Sequence, residues 1–572
     1  MSASMSMSTS TCVSMRTRSS STRIPHPGAL RSRSLARSPT WCRFLTSSSP
    51  CVRIRSVPSS SSSSSSPPPS LRAGFKRSSS SSDSSSDSSS DSFFTKGGSL
   101  KRTIQSLTAR SADDKKNNAR SVNSSRKNSS GFSPSKPFRV LVVGAGPSGL
   151  FLAHALQEKL THTKVTVIER RESIEPELGA GLNLNGAVAV ADKIKLKDVI
   201  TNVGNPLRGV RAYAARNGRI TQQLFEVDVA TAFRSSELGA ELMLDGGTKP
   251  AAYTVMRSDA LKGLADALPS QVELKLGTKI QSIKRVGDGV SATLTNVDNG
   301  IDETREFDLV VGCDGVRSTV RRLAFGDGAD AQYAGLRVLF AVAPAGSRDL
   351  TDIGGESGIA QQFFAEGAYA LSYTGGIGEG ARDLLALVYR SDAEAATAVE
   401  DDENVDWREG SSGALQKRLI AMCKKAGMPQ NEVVALAEKS TRLTDVGVYH
   451  HLPRWQPWYA MDGRVVLLGD AVHAMPPFLG QGANQAMQDC YCLATLLGDA
   501  LENGTEIAST LAEYQRRRFA PTAKVAVTAR VLGELETAPE GVPAAVRDVL
   551  FRVLGALDVT AKVYVDGAAV RV

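Results

Sequence analysis

Long apolar segments are missing from this 572-residue sequence. No run of about 18 consecutive apolar residues occurs, so we predict no transmembrane helix. The N-terminal region also lacks the apolar centre that a secretory signal requires. These absences argue against a membrane-spanning protein and leave peripheral contact with a membrane surface open.

Acidic residues are absent from the first 82 positions, which hold 12 of the 68 Lys and Arg residues. The other 56 basic residues are matched by 59 acidic ones, so the rest of the chain is mildly acidic. The net charge of +9 therefore comes from the N-terminal segment. The rest of the chain has no excess of positive charge that would indicate binding to nucleic acid. A Ser- and Arg-rich segment without acids is typical of an organelle transit peptide. We expect import into a plastid (chloroplast), with the mitochondrion as the alternative.

A low-complexity stretch follows at residues 59–92, where Ser runs are interrupted by Asp83, Asp87 and Asp91. Such a composition cannot bury enough apolar surface to offset the entropy of ordering the chain. We therefore expect residues 1–136 to be a disordered presequence and Ser-rich linker.

Cysteine is scarce, with seven residues in the whole chain, three of them in the N-terminal segment. The others are too few and too scattered for a disulfide framework, which predicts a reducing compartment. Cys490 and Cys492 lie two apart on a predicted helix and so face different directions, which makes a poor metal pair. No metal site is predicted.

The first structured segment has the pattern of a βαβ unit. Residues 139–143 form a short, continuous apolar run, typical of a buried parallel strand. Residues 144–149 read Gly-Ala-Gly-Pro-Ser-Gly, and residues 150–160 carry apolar positions at helical spacing. A second apolar strand at 164–168 ends at Glu169. This order predicts a dinucleotide-binding unit.

Each residue type in this unit has a physical reason. Gly144 permits the tight turn, Gly146 lets the backbone approach a pyrophosphate, and Gly149 allows close packing of helix against strand. The helix N-terminus supplies N–H donors and the positive end of the helix dipole. Glu169, 20 residues after Gly149, is placed to accept hydrogen bonds from a ribose diol. The acid favours an adenosine ribose without a 2′-phosphate, as in FAD or NAD.

Two later segments narrow the choice of cofactor. Residues 308–318 predict a strand, a tight turn with Asp314 and Gly315, and a helix that Asp314 is also placed to cap. Residues 463–473 predict a strand that ends at Asp470, whose carboxylate suits the hydroxyls of a flavin's ribityl chain.

A helix opens soon afterwards, at Gly480-Gln-Gly482. Its N–H groups and dipole are suited to stabilise negative charge near the flavin N1 and C2 carbonyl. That charge develops when a flavin is reduced, so the segment favours FAD over NAD.

Three motifs in this order resemble the FAD-binding monooxygenase family. They are the glycine-rich turn at 144–149, Cys-Asp-Gly at 313–315, and Gly-Asp at 469–470 followed by Pro-Pro-Phe-Leu-Gly-Gln-Gly-Ala-Asn at 476–484. The family includes salicylate-hydroxylase-like and para-hydroxybenzoate-hydroxylase-like enzymes, kynurenine monooxygenase and zeaxanthin epoxidase. The resemblance covers about residues 138–519.

The resemblance implies a set of cofactor-binding residues, without a catalytic residue or a metal ligand. Residues 179–183 resemble a mobile stretch that lines the active site. Arg257 resembles an arginine near the flavin, although an ordinary ion pair at a helix end also fits it. The expected contacts with FAD are Gly144, Gly146, Gly149, Glu169, Arg257, Asp314, Gly315, Gly469, Asp470, Pro477, Gly480, Gly482 and Asn484.

The resemblance also implies the chemistry. NADPH or NADH reduces FAD, and the reduced flavin captures O₂ as a C4a-hydroperoxide that passes one oxygen atom to an aromatic, quinone or isoprenoid small molecule. Water must be excluded, because the hydroperoxide otherwise decays to peroxide. Hydroxylation and epoxidation are both left open, as is the oligomeric state. A flavin-dependent reductase of the same fold and a non-enzymatic flavoprotein are the alternatives.

The expected fold class is α/β, with a Rossmann-like FAD-binding domain interleaved with a mixed β-sheet substrate domain and a helical C-terminus. After residue 519 we expect helices around 523–535 and 544–557, then an extended tail. The predicted boundaries are 137–204, 257–325 and 446–520 for the FAD-binding domain, 205–256 and 326–445 for the substrate domain, and 521–572 for the C-terminal helices and tail.

Three further features are ambiguous in the sequence. His473 has no visible acid partner, which favours local hydrogen bonding over catalysis. The glycine cluster at 375–380 lies between two strand-like segments, which favours a hairpin loop over a second dinucleotide site. Five aromatic residues of the substrate domain suit either plain core or an apolar pocket: Phe340, Phe363, Phe364, Tyr373 and Tyr389.

We predict that residues 1–82 fused to a fluorescent reporter direct it into plastids, because their acid-free, Ser- and Arg-rich composition is that of a transit peptide. Fluorescence microscopy of plant cells measures the compartment. A matched fusion with the segment's Arg residues changed to Glu should stay in the cytosol, and cytosolic fluorescence of the unaltered fusion would contradict the import prediction.

Overall fold

The computed structural model describes residues 136–174, 181–326, 330–351, 354–391 and 412–572. Apart from Lys136, the predicted presequence and linker lie outside the described residues. Residues 179 and 180, of the predicted active-site stretch 179–183, lie outside them as well.

The described strands form two large sheets and three small ones. In chain order they are β1 (Phe138–Val143), β2 (Thr163–Ile168), β3 (Gly181–Leu184), β4 (Asn205–Pro206), β5 (Gly209–Arg216), β6 (Arg219–Asp228), β7 (Met243–Leu244), β8 (Lys249–Pro250), β9 (Tyr253–Met256), β10 (Glu273–Lys275), β11 (Thr278–Val286), β12 (Gly289–Asn296), β13 (Asp302–Phe307), β14 (Leu309–Gly312), β15 (Gln332–Pro344), β16 (Ile359–Phe364), β17 (Ala368–Gly375), β18 (Arg382–Arg390), β19 (Arg442–His450), β20 (Tyr459–Ala460) and β21 (Val465–Leu467).

The first large sheet is parallel except at one edge. Its order is β10-β2-β1-β14-β21-β20, and only β20 runs antiparallel to its neighbour. Strand β1 pairs in register with β2 on one side and β14 on the other, so Val140 lies between Val165 and Leu309. The continuous apolar sequence of β1 fits this central position, because helices cover both faces of a parallel sheet.

The second large sheet is mixed, with the order β19-β15-β18-β17-β16-β5-β6. Only β5 and β16 pair in parallel, and the other neighbours are antiparallel. The smaller sheets are antiparallel and have the orders β11-β12-β13, β3-β9-β4 and β7-β8.

The described helices include a group of long ones near the C-terminus. Among these described helices, none is both long enough and apolar enough to span a membrane. In chain order they are α1 (Pro147–Lys159), α2 (Gly186–Lys193), α3 (Lys197–Thr201), α4 (Val229–Arg234), α5 (Glu237–Ala240), α6 (Arg257–Asp266), α7 (Thr319–Phe325), α8 (Ser412–Lys425), α9 (Ala435–Lys439), α10 (Asp470–His473), α11 (Gly482–Asn503), α12 (Ile507–Glu536), α13 (Val542–Ala556) and α14 (Val559–Ala568), with short 3₁₀ turns at Asp245–Gly247, Gly378–Gly380 and Pro477–Leu479 and a π turn at Gln430–Val434.

The two faces of the mixed sheet have different neighbours. Phe363 and Tyr389 belong to a buried cluster with residues of α8 and α9, so these two aromatics are plain core. Phe364 and Tyr369 lie in another cluster, which includes Phe478 and Phe551. Because side chains alternate across a strand, neighbouring residues such as Phe363 and Phe364 serve opposite faces.

The predicted α/β fold with a helical C-terminus is confirmed. So is the hairpin at the glycine cluster, where β17 and β18 pair antiparallel around the 375–380 turn. The prediction of an extended tail is wrong, because the tail contains α14. The β-branched residues of α14 favour a helix only weakly. Tertiary contacts stabilise the helix instead, through burial of Val565 and the stacking of Tyr564 on Phe233. No observation tests the domain boundaries.

Candidate functional site

The glycine turn after β1 admits no side chain at two of its positions. Gly144 has φ +101°, and a Cβ atom there would lie 2.7 Å from the Cys313 carbonyl oxygen. A Cβ atom at Gly149 would lie 1.8 Å from the Gly144 oxygen. At Gly146, which precedes α1, no atom lies within 4 Å of the Cβ position. The start of α1 is therefore open on the side where a phosphate would approach.

Glu169 lies at the end of β2, beside this turn. Its Oε2 accepts a hydrogen bond from the Ala145 N–H at 3.0 Å, and its Oε1 accepts one from the Arg171 N–H at 3.2 Å. The side chain is half-buried and its oxygens keep further lone pairs. The carboxylate is thus fixed by backbone donors and still open to a diol.

Asp314 and Gly315 follow β14, directly beside the glycine turn. Asp314 Oδ1 accepts a hydrogen bond from the Ser318 hydroxyl at 2.5 Å, and Oδ2 accepts one from the Val320 N–H at 3.0 Å. Burial raises the pKa of Asp314, although these hydrogen bonds oppose the shift. Gly315 has φ +79° and open space at its Cβ position. The Asp314 carboxylate therefore caps the N-terminus of α7. The backbone at Gly315 has no protein atom against its Cβ position, so a ligand could approach it there.

The Gly469-Asp470 turn has a backbone conformation restricted to glycine. Gly469 has φ +59° and ψ −141°, and a Cβ atom there would lie 2.9 Å from Ala486 Cβ and 3.7 Å from Ser148 Oγ. The next side chain, Asp470, makes no hydrogen bond within the described residues and is open to solvent on one side. Burial by protein on its other sides raises the pKa of this carboxyl group, whereas electrostatic interactions with His473 and Arg257 lower it.

Arg257 is the first residue of α6, and its guanidinium interacts electrostatically with the Asp470 carboxylate. Burial lowers its pKa, Arg171 lowers it further, and Glu169 and Asp470 raise it. Across the described ranges, no carboxylate lies within ion-pair distance of its guanidinium. Arg257 is therefore a partly buried cation that Glu169 and Asp470 influence electrostatically, without an ion pair to a described carboxylate.

The 476–482 loop leads into α11. It contains the short turn Pro477–Leu479, a left-handed Gly480 with φ +62°, and Gly482 at the helix start. The Cβ position of Gly482 lies 3.8 Å from Asp470 Oδ1. The unpaired N–H groups of the first helical turn therefore lie next to the unpaired carboxylate.

Asn484 differs from the other expected contacts because protein atoms satisfy its amide. Its Oδ1 accepts hydrogen bonds from the Asn185 and Ala187 N–H groups, at 2.8 and 3.1 Å. Its Nδ2 donates to the Asn183 and Gly480 carbonyl oxygens, at 2.8 and 3.0 Å. Asn484 thus ties the loop to β3 and α2, which is a positioning role.

Sequence reasoning missed a polar cluster beside this loop. Four buried atoms of this cluster make no hydrogen bond with any described residue: Asn183 Oδ1, Asn185 Nδ2, Gln481 Oε1 and the Tyr564 hydroxyl. Burial raises the pKa of Tyr564 to about 12, with the nearby Asn185 and Asn183 amides opposing the shift. Unsatisfied buried groups at one place are typical of a ligand site. Nothing local in the sequence signals Tyr564, which comes from α14.

His473 has an acid partner that the sequence did not reveal, and the contact is a hydrogen bond, the role that the sequence favoured over catalysis. Its Nε2 lies 2.6 Å from Asp489 Oδ2, and Asp489 Oδ1 accepts a 2.7 Å hydrogen bond from Arg518 Nε. Asp489 also accepts the Gly469 N–H at 3.0 Å. Burial raises the pKa of Asp489, but His473 and Arg518 together outweigh burial and lower it. The partner is invisible locally because α11 carries it back from 16 residues further along the chain.

A family model described as "FAD binding domain" matches residues 138–345 and 438–529. The chain belongs to this family. It is 28% identical over 421 residues to the 3-amino-4-hydroxybenzoate 2-monooxygenase of Streptomyces cremeus. The aligned region covers 73% of this chain and 92% of that enzyme. It is 27% identical over 401 residues to the chloroplastic zeaxanthin epoxidase of Spinacia oleracea, and the match spans about half of that longer enzyme (52%) and 67% of this chain.

The fold is also that of a solved structure. Klebsiella pneumoniae HpxO complexed with FAD and uric acid superposes with a TM-score of 0.59 at 19% identity, over 75% of this chain and 96% of that one. The resemblance to FAD-dependent monooxygenases is therefore confirmed, and the chain is an oxidoreductase of this aromatic-type family.

The residues present fit FAD. The backbone is open at Gly146 and Gly315, and Asp470 and Arg257 carry charges without protein partners in the described part of the chain. The Cβ position of Gly144 lies 3.0 Å from Asp314 Cα, and that of Gly469 lies 3.7 Å from Ser148 Oγ, so the three expected segments lie next to one another. Individual contacts with FAD stay predictions.

We predict that Asp470→Ala weakens FAD binding, because each lost charge-assisted hydrogen bond costs about 1.5–3 kcal/mol, or ~10- to 150-fold in Kd. Titration of the FAD-free protein, followed by flavin fluorescence, measures the Kd. Asp499→Ala, which removes an exposed carboxylate at the far end of α11, is the control and should leave the Kd unchanged. An unaltered Kd in Asp470→Ala would exclude this carboxylate from the site.

We predict that Asp489→Asn lowers the free energy of unfolding by about 3–5 kcal/mol, because it leaves Arg518 buried without its carboxylate. Urea denaturation followed by tryptophan fluorescence measures the change. The control is Glu513→Gln, which weakens surface ion pairs with Arg516 and Arg517 and should cost less than about 1 kcal/mol. Equal losses in the two variants would contradict the assignment of Asp489 as the buried anchor.

Proposed function

We propose that this protein is an NADPH- or NADH-dependent monooxygenase that hydroxylates or epoxidises an aromatic, quinone or isoprenoid small molecule. One NAD(P)H and one O₂ are consumed per turnover. One oxygen atom enters the substrate, and the other leaves as water with the two electrons from NAD(P)H. The observation that carries the proposal is the unpaired Asp470 carboxylate beside the start of α11, in a turn that lies against the glycine turn at Ser148.

FAD would be held by residues from the first βαβ unit and from the Gly469-Asp470 segment. The open backbone at Gly146 and the N-terminus of α1 suit its pyrophosphate, and Glu169 suits the adenosine ribose. Asp470 suits the ribityl hydroxyls. When bound, FAD supplies the two-electron chemistry that links NAD(P)H oxidation to oxygen transfer.

At the start of α11, beside Asp470 and Arg257, the contribution of the chain's own residues to the reaction is electrostatic. Helix α11 is 22 residues long, and the positive end of its dipole and its free N–H groups lie beside Asp470. Arg257 adds a full positive charge that no described carboxylate neutralises at contact distance. Both features stabilise negative charge that develops on a bound ligand.

The mixed sheet supports an apolar substrate. Tyr369 lies 6.1 Å from Phe478 of the 476–482 loop, and Phe364 continues the same aromatic cluster. Tyr373 also approaches the site, because its hydroxyl lies 3.0 Å from the Cβ position of Gly181 in β3. Burial raises the pKa of Tyr373, so its hydroxyl stays protonated and able to donate a hydrogen bond. Such walls exclude water and orient a flat or unsaturated molecule.

Import into a plastid is part of the proposal, supported by the composition of residues 1–82. For the substrate, the aromatic side chains nearest the 476–482 loop and β3, Phe478 and Tyr373, support a phenolic or quinone ring. The similarity to an aminohydroxybenzoate monooxygenase points the same way, and the similarity to zeaxanthin epoxidase supports an isoprenoid double bond as the other candidate.

We predict substrate-stimulated NAD(P)H oxidation that requires O₂. The FAD-loaded protein is screened with phenols, quinones and carotenoids by absorbance at 340 nm, with and without O₂. With ¹⁸O₂, mass spectrometry of the product should show one labelled oxygen atom. The matched control is the Tyr389→Phe variant, altered on the helix-covered face of the sheet, which should keep its activity, whereas Tyr373→Phe should reduce it.

The alternatives give different outcomes in the same assay. Turnover that is unchanged without O₂ would identify a flavin-dependent reductase and refute oxygen transfer. A protein that holds FAD but shows no stimulation by any of these acceptors would instead fit a non-enzymatic flavoprotein.

A further inference from the structure

Helix α13 (Val542–Ala556) presents an apolar stripe to solvent. Six large aliphatic side chains on it, or directly after it, are 36% to 75% exposed. Arg552 is the one charged residue among the exposed positions of this helix. Continuous exposed apolar faces are uncommon on monomeric proteins and mark interaction surfaces. The stripe consists of Val542, Val546, Val549, Leu550, Val553 and Leu557.

The opposite face of α13 is fixed against the mixed sheet, so the stripe cannot turn inward. Phe551 packs on Phe364 with ring centroids 5.0 Å apart and meets Phe225 edge-on at 6.1 Å. The buried Arg547 donates to the Ala365 carbonyl oxygen at 2.8 Å. These contacts set the rotation of the helix about its axis and leave the stripe pointing outward.

The spacing of the stripe is the same in both directions. Successive members are separated by 4, 3, 1, 3 and 4 positions, and the centre lies between Val549 and Leu550. Spacings of three and four residues keep side chains on one face of a helix, as in helix pairs that pack along their length. A palindromic pattern has one further property: it complements a second copy of itself in the antiparallel direction.

We propose that this stripe is a homodimer interface, in which α13 of one copy packs antiparallel on α13 of another about a two-fold axis. The axis passes between Val549 and Leu550, so each faces the other across the interface. Val546 then faces Val553, and Val542 faces Leu557. Every exposed aliphatic residue of the stripe gains an aliphatic partner in this arrangement.

A membrane surface is the less suitable occupant. Helices that lie in a bilayer interface carry a polar face rich in Lys and Arg beside their apolar face. The inner face of α13 is instead buried against protein, and Asp548 at its edge is paired with Arg216 at 2.6 Å. Arg552 alone offers little attraction to anionic lipid.

The test uses the full-length, FAD-loaded protein in sedimentation equilibrium from about 1 to 100 µM, a range suited to a small interface. The expected species is a dimer of about 121 kDa, twice the chain mass of 60.6 kDa. Val546→Glu and Val553→Lys should each weaken dimerisation by ~tenfold or more, since a charge then meets an aliphatic side chain. The double variant should restore it, because each new carboxylate faces a new ammonium on the other copy.

Two controls keep the outcome specific. Ile301→Glu alters an exposed aliphatic residue outside the stripe and should leave the dimer intact. Positions 546 and 553 lie seven residues, or roughly 10 Å, apart along one helix, so pairing within a single copy cannot account for rescue. Restoration by the double variant therefore requires the antiparallel contact.

Disulfide trapping tests the axis directly, in a background with Cys12, Cys42 and Cys51 changed to Ser. Val549→Cys should form a cross-linked dimer, because this position lies next to its symmetry mate. Val542→Cys should not, because the two copies of that position lie roughly 20 Å apart. A wild-type chain that stays at 60.6 kDa throughout the concentration range would overturn the proposal, even if it floats with phosphatidylglycerol-containing vesicles. So would failed rescue in the double variant.

Discussion

The ion pair between Asp489 and Arg518 holds the turn on which the candidate site depends. Both side chains are fully buried, and a lone buried charge would be strongly unfavourable. With Arg518 on one oxygen and His473 and the Gly469 N–H on the other, the carboxylate stays ionised in the interior. The Gly469 turn, whose backbone angles suit glycine alone, is thereby fixed by the buried Asp489, and the exposed Asp470 follows it beside the start of α11.

The same network extends to the end of the chain. Arg518 also donates to the Arg571 carbonyl oxygen and to Gln488 Oε1, which in turn accepts the Arg571 N–H at 3.1 Å. Gln485 Nε2 donates to the Gly567 carbonyl oxygen at 3.2 Å. The last residues are therefore joined to α11, the helix that starts beside Asp470. Tyr564 reaches the polar cluster beside the 476–482 loop through this connection.

Short-range features of the site could be predicted because their physical causes are local. Gly144 is favoured by its own φ of +101°, and Gly149 by the Gly144 oxygen 1.8 Å from its Cβ position, while the apolar run of β1 follows from burial on both faces of a sheet. Asp470 could be predicted in the same way, because it closely follows an apolar strand and precedes a glycine-rich helix start. These features made the family resemblance visible.

Long-range features could not be predicted from the same pattern. Asn484 looks like a cofactor contact in the sequence, yet its four hydrogen bonds go to protein, because α11 happens to begin against β3 and α2. Tyr373 and Tyr389 look alike, and only strand pairing assigns them to opposite sides of a sheet. Burial and hydrogen-bond partners depend on which distant segments meet, which no local spacing records.

The sequence by itself therefore determined the nucleotide-binding turn, the order of the three motifs and the charge difference between the N-terminal segment and the rest. Tertiary structure decided which polar groups are satisfied by protein and which are left for a ligand. The reason is that backbone angles and apolar periodicity act over a few residues. Charge compensation, as between Asp489 and Arg518, acts between side chains that only the folded chain brings to within 2.7 Å.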